Sequence, residues 1–104
     1  METIQIPTVS DRHVTADHWP GDQTPVLLAH GGGQTRHSWG GTAEKLASNG
    51  HRVVSIDLRG HGDSSWDPDG DYSMAAYCAD AQHVVKWIGQ PVAWVGASLG
   101  GMTG

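Results

Sequence analysis

Ser98 lies in Gly96-Ala97-Ser98-Leu99-Gly100, a G-x-S-x-G pattern directly after the apolar run 92–95. In that context the pattern seats a nucleophilic serine on a sharp strand-to-helix turn, and the flanking residues must be small for the chain to fold so tightly. Gly96 and Gly100 meet that need. The backbone N–H of Leu99 would then open a helix, where free donors and the helix dipole both favour an oxyanion. A pattern this short also arises by chance in a chain with 15 glycines. The strand before it is what gives it chemical meaning.

A second donor to the oxyanion is expected from a glycine-rich loop after an earlier strand. His30-Gly31-Gly32-Gly33 follows the apolar run 26–29 and supplies one. Gly32 is the candidate N–H, because glycine lets backbone approach a substrate closely. Gly31 and His30 are expected to support that loop, His30 by hydrogen bonding rather than by abstracting a proton. Trp39, a few residues on, is a candidate for lining an apolar pocket, although packing in the core accounts for it equally well.

Other chemistries fit less well. A strand, a glycine loop, a helix, a strand and then Asp57 imitate a dinucleotide-binding unit, but the third glycine of that fingerprint is replaced by Arg36. No phosphate-binding G-x-x-x-x-G-K-[ST] occurs. The seven histidines show no metal-ligand spacing such as H-E-x-x-H, so neither a metal nor any other cofactor is expected. Cys78 falls on an apolar helix face, which favours burial over reactivity.

These residues need a scaffold to bring them together. Residues 3–9 and 13–19 alternate weakly and predict a half-exposed antiparallel pair. Residues 26–29, 52–57 and 92–95 are short apolar or β-branched runs, and the first suits a strand covered on both faces. Trp39, Ala43, Leu46 and Ala47 recur at helical spacing before Gly50. Ser73 is a natural N-cap for a helix whose apolar face holds Met74, Tyr77, Cys78, Ala81, Val84, Val85 and Ile88, and Gly89 and Pro91 end it. Strands alternating with helices imply an α/β fold with a mostly parallel sheet. Ligands bind beyond the carboxyl ends of such strands, where the loops 30–33, 59–63 and 96–101 are expected to meet.

At 104 residues the chain has room for one domain. Its net charge of -5, with six scattered basic residues, argues against a nucleic-acid partner. No apolar stretch approaches the roughly 20 residues of a membrane helix, and the first residues lack a secretory pattern. One cysteine excludes an internal disulfide, which fits a cytoplasmic location.

Taken together, "LLAHGGGQTRHSW", "VVSIDLRGHGDS" and "VGASLGG" resemble the α/β-hydrolase family, in the serine-nucleophile group of esterases, lactonases, C–C bond hydrolases and cofactor-free haloperoxidases. The resemblance implies Ser98 as nucleophile, with the N–H groups of Gly32 and Leu99 as the oxyanion hole. It implies a small apolar ester-like substrate, places Trp39 at an often aromatic position, and makes residues 57–64 a structural turn. A serine nucleophile and a loop that is not His-Gly-x-Pro argue against the epoxide hydrolase and haloalkane dehalogenase branches. In this family the acid and the histidine of the triad follow the serine in the chain. The 104 residues are therefore expected to be the N-terminal portion of one hydrolase domain, ending just after the nucleophile turn and inactive alone. A fragment that works by association with a partner, through an open sheet edge, is the alternative expectation; a dinucleotide-binding domain ranks below both.

Overall fold

A computed structural model describes residues 1–8 and 11–96. Five strands form one sheet: β1 Glu2–Pro7, β2 His13–Trp19, β3 Gln23–Ala29, β4 His51–Ile56 and β5 Ala93–Gly96, in the order β1-β2-β4-β3-β5. β1 and β2 are antiparallel, as are β2 and β4, whereas β3 runs parallel to both β4 and β5. This is the mixed α/β architecture that the alternation of strands and helices implies, with the parallel pairings on either side of β3.

Helix α1 (Gly40–Ser48) connects β3 to β4, and α2 (Met74–Ile88) lies between β4 and β5. A 3-10 turn at Arg36–Trp39, capped by the Thr35 side chain, precedes α1. Two successive glycines make a poor first helical turn. The chain therefore bends into the helix through the tighter turn before it. Ser73 caps α2 by accepting a hydrogen bond from the Ala76 N–H, and the Gly89 N–H closes the helix on the Val85 carbonyl.

The sheet is covered on both faces. On one, Val26, Leu28, Ala43 and Val53 form a cluster joined by Trp19, Trp39, Leu46 and Ala47. On the other, Ile6, Val14, Ala16, Leu27, Ala29, Val54, Ile56 and Leu58 pack with Tyr77, Val84 and Ile88 of α2. The alternation of Leu27 and Leu28 between the two clusters follows from the two-residue period of a strand.

Two expectations change. β2 is not half-exposed: Val14, Thr15, Ala16 and Asp17 are all buried, because β4 lies against its inner edge and Arg36 takes up Asp17. The buried face of α2 is also turned from the one read in the sequence. Met74 is exposed and Cys78 only half-buried, whereas Ala76 and Asp80 are buried. Asp80 is drawn inward by Arg59, and the helix rotates with it.

Candidate active site

At the carboxyl end of β3 the chain enters the His30–Gln34 loop. The imidazole of His30 is fully buried. Its Nε2 accepts the Leu58 N–H at 2.9 Å, so Nδ1 carries the proton and donates to the Gly31 carbonyl at 2.7 Å. Burial lowers the pKa of this ring, and the neighbouring His61 lowers it further, against the opposing pull of the Gly31 carbonyl and Asp57. His30 is thus a neutral strut between two loops. With both nitrogens occupied, it has no lone pair to offer a substrate.

The turn after it is closed by its own polar groups. Gln34 donates its N–H to the Gly31 carbonyl at 3.1 Å and accepts the Gly31 N–H on Oε1 at 3.0 Å. Gly33 has φ +78°, a conformation that side chains with a Cβ rarely adopt. Its N–H donates to Nε2 of His61 at 3.0 Å. Gly32 is exposed, a Cβ built on it would meet no described atom within 4 Å, and its N–H has no hydrogen-bond partner among the described residues.

The loop 59–63, after β4, lies beside this turn. The rings of His61 and His30 meet at a tilt, with centroids 4.8 Å apart and planes at 52°. The strand ends are flush: Ala29 pairs with Ile56 on one side and with Gly96 on the other. Loops 30–33 and 59–63 therefore meet, as topology implies. Gly96 closes β5 next to Ala29. Ser98, Leu99 and Gly100 lie outside the described residues. Trp39 packs on the cluster of Val26, Leu28, Ala43 and Val53, with its indole Nε1 buried and unpartnered among the described residues.

Two arginines organise what lies beneath the loops, and neither was legible as a site residue. Arg36 donates its backbone N–H to Asp57 Oδ1 at 2.6 Å and its Nη1 to Asp57 Oδ2 at 2.5 Å. It also contacts Asp63 at 3.0 Å and Asp17 at 3.1 Å. Burial works against its charge, but hydrogen bonds to Asp63, Asp57 and Asp17 outweigh it and raise its pKa. Arg59 makes a bidentate pair with Asp80, both contacts at 2.9 Å, and donates to the Asp71 carbonyl. The hydrogen bond to Asp80 is the main cause of its raised pKa. The one signal for this pair is an aspartate four residues from both Ala76 and Val84 on the α2 pattern.

Asp57, the residue that would meet a ribose in a dinucleotide fold, is fully buried and committed to Arg36 and to the Asp63 N–H. The loop above it carries the exposed Gly32, whose N–H is unpartnered among the described residues. Among the described residues, no three His, Cys, Asp or Glu side chains are grouped to hold a metal ion. Nor is any helix of theirs long and apolar enough to cross a membrane.

A mixed sheet whose strand β3 runs parallel to both of its neighbours, with a buried histidine and a glycine turn at the carboxyl end of that strand, defines a class, and comparison with known proteins identifies it. Residues 24–104 match the model of the α/β-hydrolase fold, and the chain belongs to that family. It is 35% identical over 91 residues to an esterase of Mycobacterium tuberculosis, covering 86% of this chain and 30% of that protein. It is 32% identical to protein phosphatase methylesterase 1 of Mus musculus, covering 97% of this chain and 28% of the relative. Among solved structures, a thioesterase domain from the curacin biosynthetic pathway superposes with a TM-score of 0.90 at 31% identity, over 99% of this chain and 39% of that one. The chain thus spans under a third of the length of these curated relatives.

Proposed function

We propose that these residues carry the nucleophile and the oxyanion-binding side of a serine hydrolase acting on small apolar ester-like substrates. The observation that carries this reading is the Gly32 N–H. It is unpartnered among the described residues, on an exposed glycine in a turn held from both sides by His30 and His61. The esterase and methylesterase names of the relatives support the bond class, and the flush ends of β3 and β5 support bringing Ser98 near that turn.

Ser98 Oγ attacks the acyl carbon, and its proton passes to the triad histidine, which in this family follows the serine in the chain. The carbonyl oxygen becomes an oxyanion held by the N–H groups of Gly32 and Leu99. The intermediate then collapses, the alkoxide leaves with the proton, and water hydrolyses the acyl-enzyme by the same route. Lactones, C–C bonds next to a carbonyl and haloperoxidase-type perhydrolysis use the same apparatus. No metal or organic cofactor takes part in this scheme, and the setting is cytoplasmic.

The test is an ester assay on the 104-residue chain and on the full product of its gene. The chain alone is expected to be inactive, since loss of the histidine costs on the order of 10⁶ in turnover. The full product should hydrolyse p-nitrophenyl acetate and take up a fluorophosphonate, and Ser98→Ala should abolish both. Turnover by the Ser98→Ala protein would refute the assignment.

A second reading is favoured by β5, which among the described residues pairs with β3 alone and leaves Val95 38% exposed. An open edge of this kind recruits another strand. On this reading the isolated chain self-associates or binds a complementary piece through β5. Size-exclusion chromatography of the isolated chain tests it, and a monomer at high concentration would rule it out.

A further inference from the structure

The His61 imidazole is tied at both ends to backbone. Its Nε2 accepts the Gly33 N–H at 3.0 Å, and its Nδ1 lies 3.0 Å from the Arg59 carbonyl. Since Nε2 is the acceptor, the proton sits on Nδ1 and is donated to Arg59. His61 and His30 are therefore neutral rings of the same tautomer, side by side at 4.8 Å, each bridging one loop to the other. Their tasks differ. His30 is fully buried and fixes where the 30–34 turn begins. His61 holds the Gly33 N–H, the donor next to Gly32.

The Gly32 N–H lies in the rigid peptide plane it shares with the Gly31 carbonyl, which the His30 Nδ1–H and the Gln34 N–H hold. The Gly33 N–H lies in the next plane, and the two planes turn about the Gly32 Cα, where glycine leaves both dihedrals free. Holding the second plane at His61 therefore limits the rotation open at Gly32. Gly33 at φ +78° is held in one of several conformations open to it. The Arg59 carbonyl that anchors His61 belongs to a residue itself fixed by the bidentate pair with Asp80.

We infer that His61 is a positioning residue of the oxyanion loop, which holds the Gly32–Gly33 peptide by accepting the hydrogen bond of Gly33 and so restrains Gly32 from the side that the contacts to the Gly31 carbonyl do not reach. It touches no reacting atom. This role rests on the serine-hydrolase reading above, because an N–H has to be aimed only where an oxyanion forms.

The test uses the full gene product and two variants. In His61→Phe a ring of similar size remains without an acceptor, and His61→Gln restores an acceptor oxygen. A displacement of about 1 Å at a catalytic contact can cost on the order of 10² in rate. His61→Phe is expected to lower kcat by about 10- to 100-fold, with KM within about twofold and the melting temperature nearly unchanged. Binding of phenylboronic acid, which forms a tetrahedral adduct on serine, should weaken by a similar factor, and His61→Gln should recover part of both losses. Wild-type kcat in His61→Phe overturns the inference. So does a loss that tracks melting temperature and is not recovered in His61→Gln. A wild-type protein without hydrolase activity sinks the function reading instead. The hydrogen bond is then tested by the scalar coupling between Gly33 N and His61 Nε2, whose absence overturns the assignment of His61.

Discussion

Arg36 grips Asp57 twice, once through its backbone N–H and once through its guanidinium, across 21 residues of sequence. The first contact fixes the start of the 3-10 turn before α1, and the second fixes the exit of β4. The glycine loop that carries Gly32 begins at the His30 strut and ends within two residues of this clamp. A side chain that looks like a flaw in a glycine fingerprint is thus a structural anchor of the turn.

Removing one partner of that clamp should be costly. Asp57→Ala leaves a buried guanidinium with only Asp17 and the largely exposed Asp63 to answer it. Breaking a buried pair typically costs about 3–5 kcal/mol. Urea unfolding of the variant should show a loss of that order, little changed by added salt because the pair is shielded from solvent. A loss that disappears in 0.5–1 M salt, where exposed pairs are screened, would contradict the geometry.

The Arg59–Asp80 pair should behave differently when both members go. Asp80→Leu alone leaves the buried Arg59 with the longer contact to Asp67 and the Asp71 carbonyl, and is expected to destabilise by about 3–5 kcal/mol. In the double variant Arg59→Met with Asp80→Leu, apolar side chains take the place of both charges on the α2 face. Most of the loss should return, because replacing a whole buried pair is often close to neutral. A double-variant cycle by thermal melting measures this coupling, and strict additivity of the single changes would argue against a direct pair.

His30 predicts the direction of pH dependence. Its folded-state pKa lies below the ordinary 6.5, chiefly because burial disfavours the charged ring. The unfolded chain therefore takes up the proton first. The stability this ring contributes is fully present above about pH 6.5 and is lost as pH falls through the folded-state value. Unfolding free energies measured from pH 8 to pH 5 should decline over that window. His30→Phe should reduce the slope while lowering stability throughout, since the Leu58 N–H loses its acceptor at a cost of about 1–3 kcal/mol.

Gly62 is expected to tolerate no side chain. It has φ +50°, and a Cβ there would stand 2.4 Å from Asp57 Oδ2, an oxygen held in place by Arg36 and the Asp63 N–H. Gly62→Ala adds about 1–2 kcal/mol of left-handed strain to about 1–3 kcal/mol of overpacking. A melting temperature within a degree or two of wild type would show that the turn can open without disturbing the carboxylate.

The sequence revealed the frame of this molecule more fully than its interior. The strand runs at 26–29 and 52–57, the Ser73 cap and the period of α2 are local signals, written within a few residues of one another. The glycine spacing next to an apolar run that marks His30 and Gly32 as loop residues is also local. What could not be read was which charges go inside. Arg36, Arg59 and Asp80 look like surface residues one at a time, and burial becomes affordable only when partners distant in sequence meet. The rotated face of α2 and the buried centre of β2 have the same origin, since Asp80 and Asp17 are carried inward by arginines elsewhere in the chain. His61 was legible as a histidine without metal partners, but its bond to Gly33 depends on two loops meeting.

The flush ends of β3, β4 and β5 make the sheet a ruler for gene variation. One residue inserted within 26–29 or 93–96 would push the following loop out by about 3.3 Å and send every later side chain of that strand to the opposite face. Single-residue insertions and deletions should therefore be purged from these strands over evolutionary time, even where each substitution in them is tolerated.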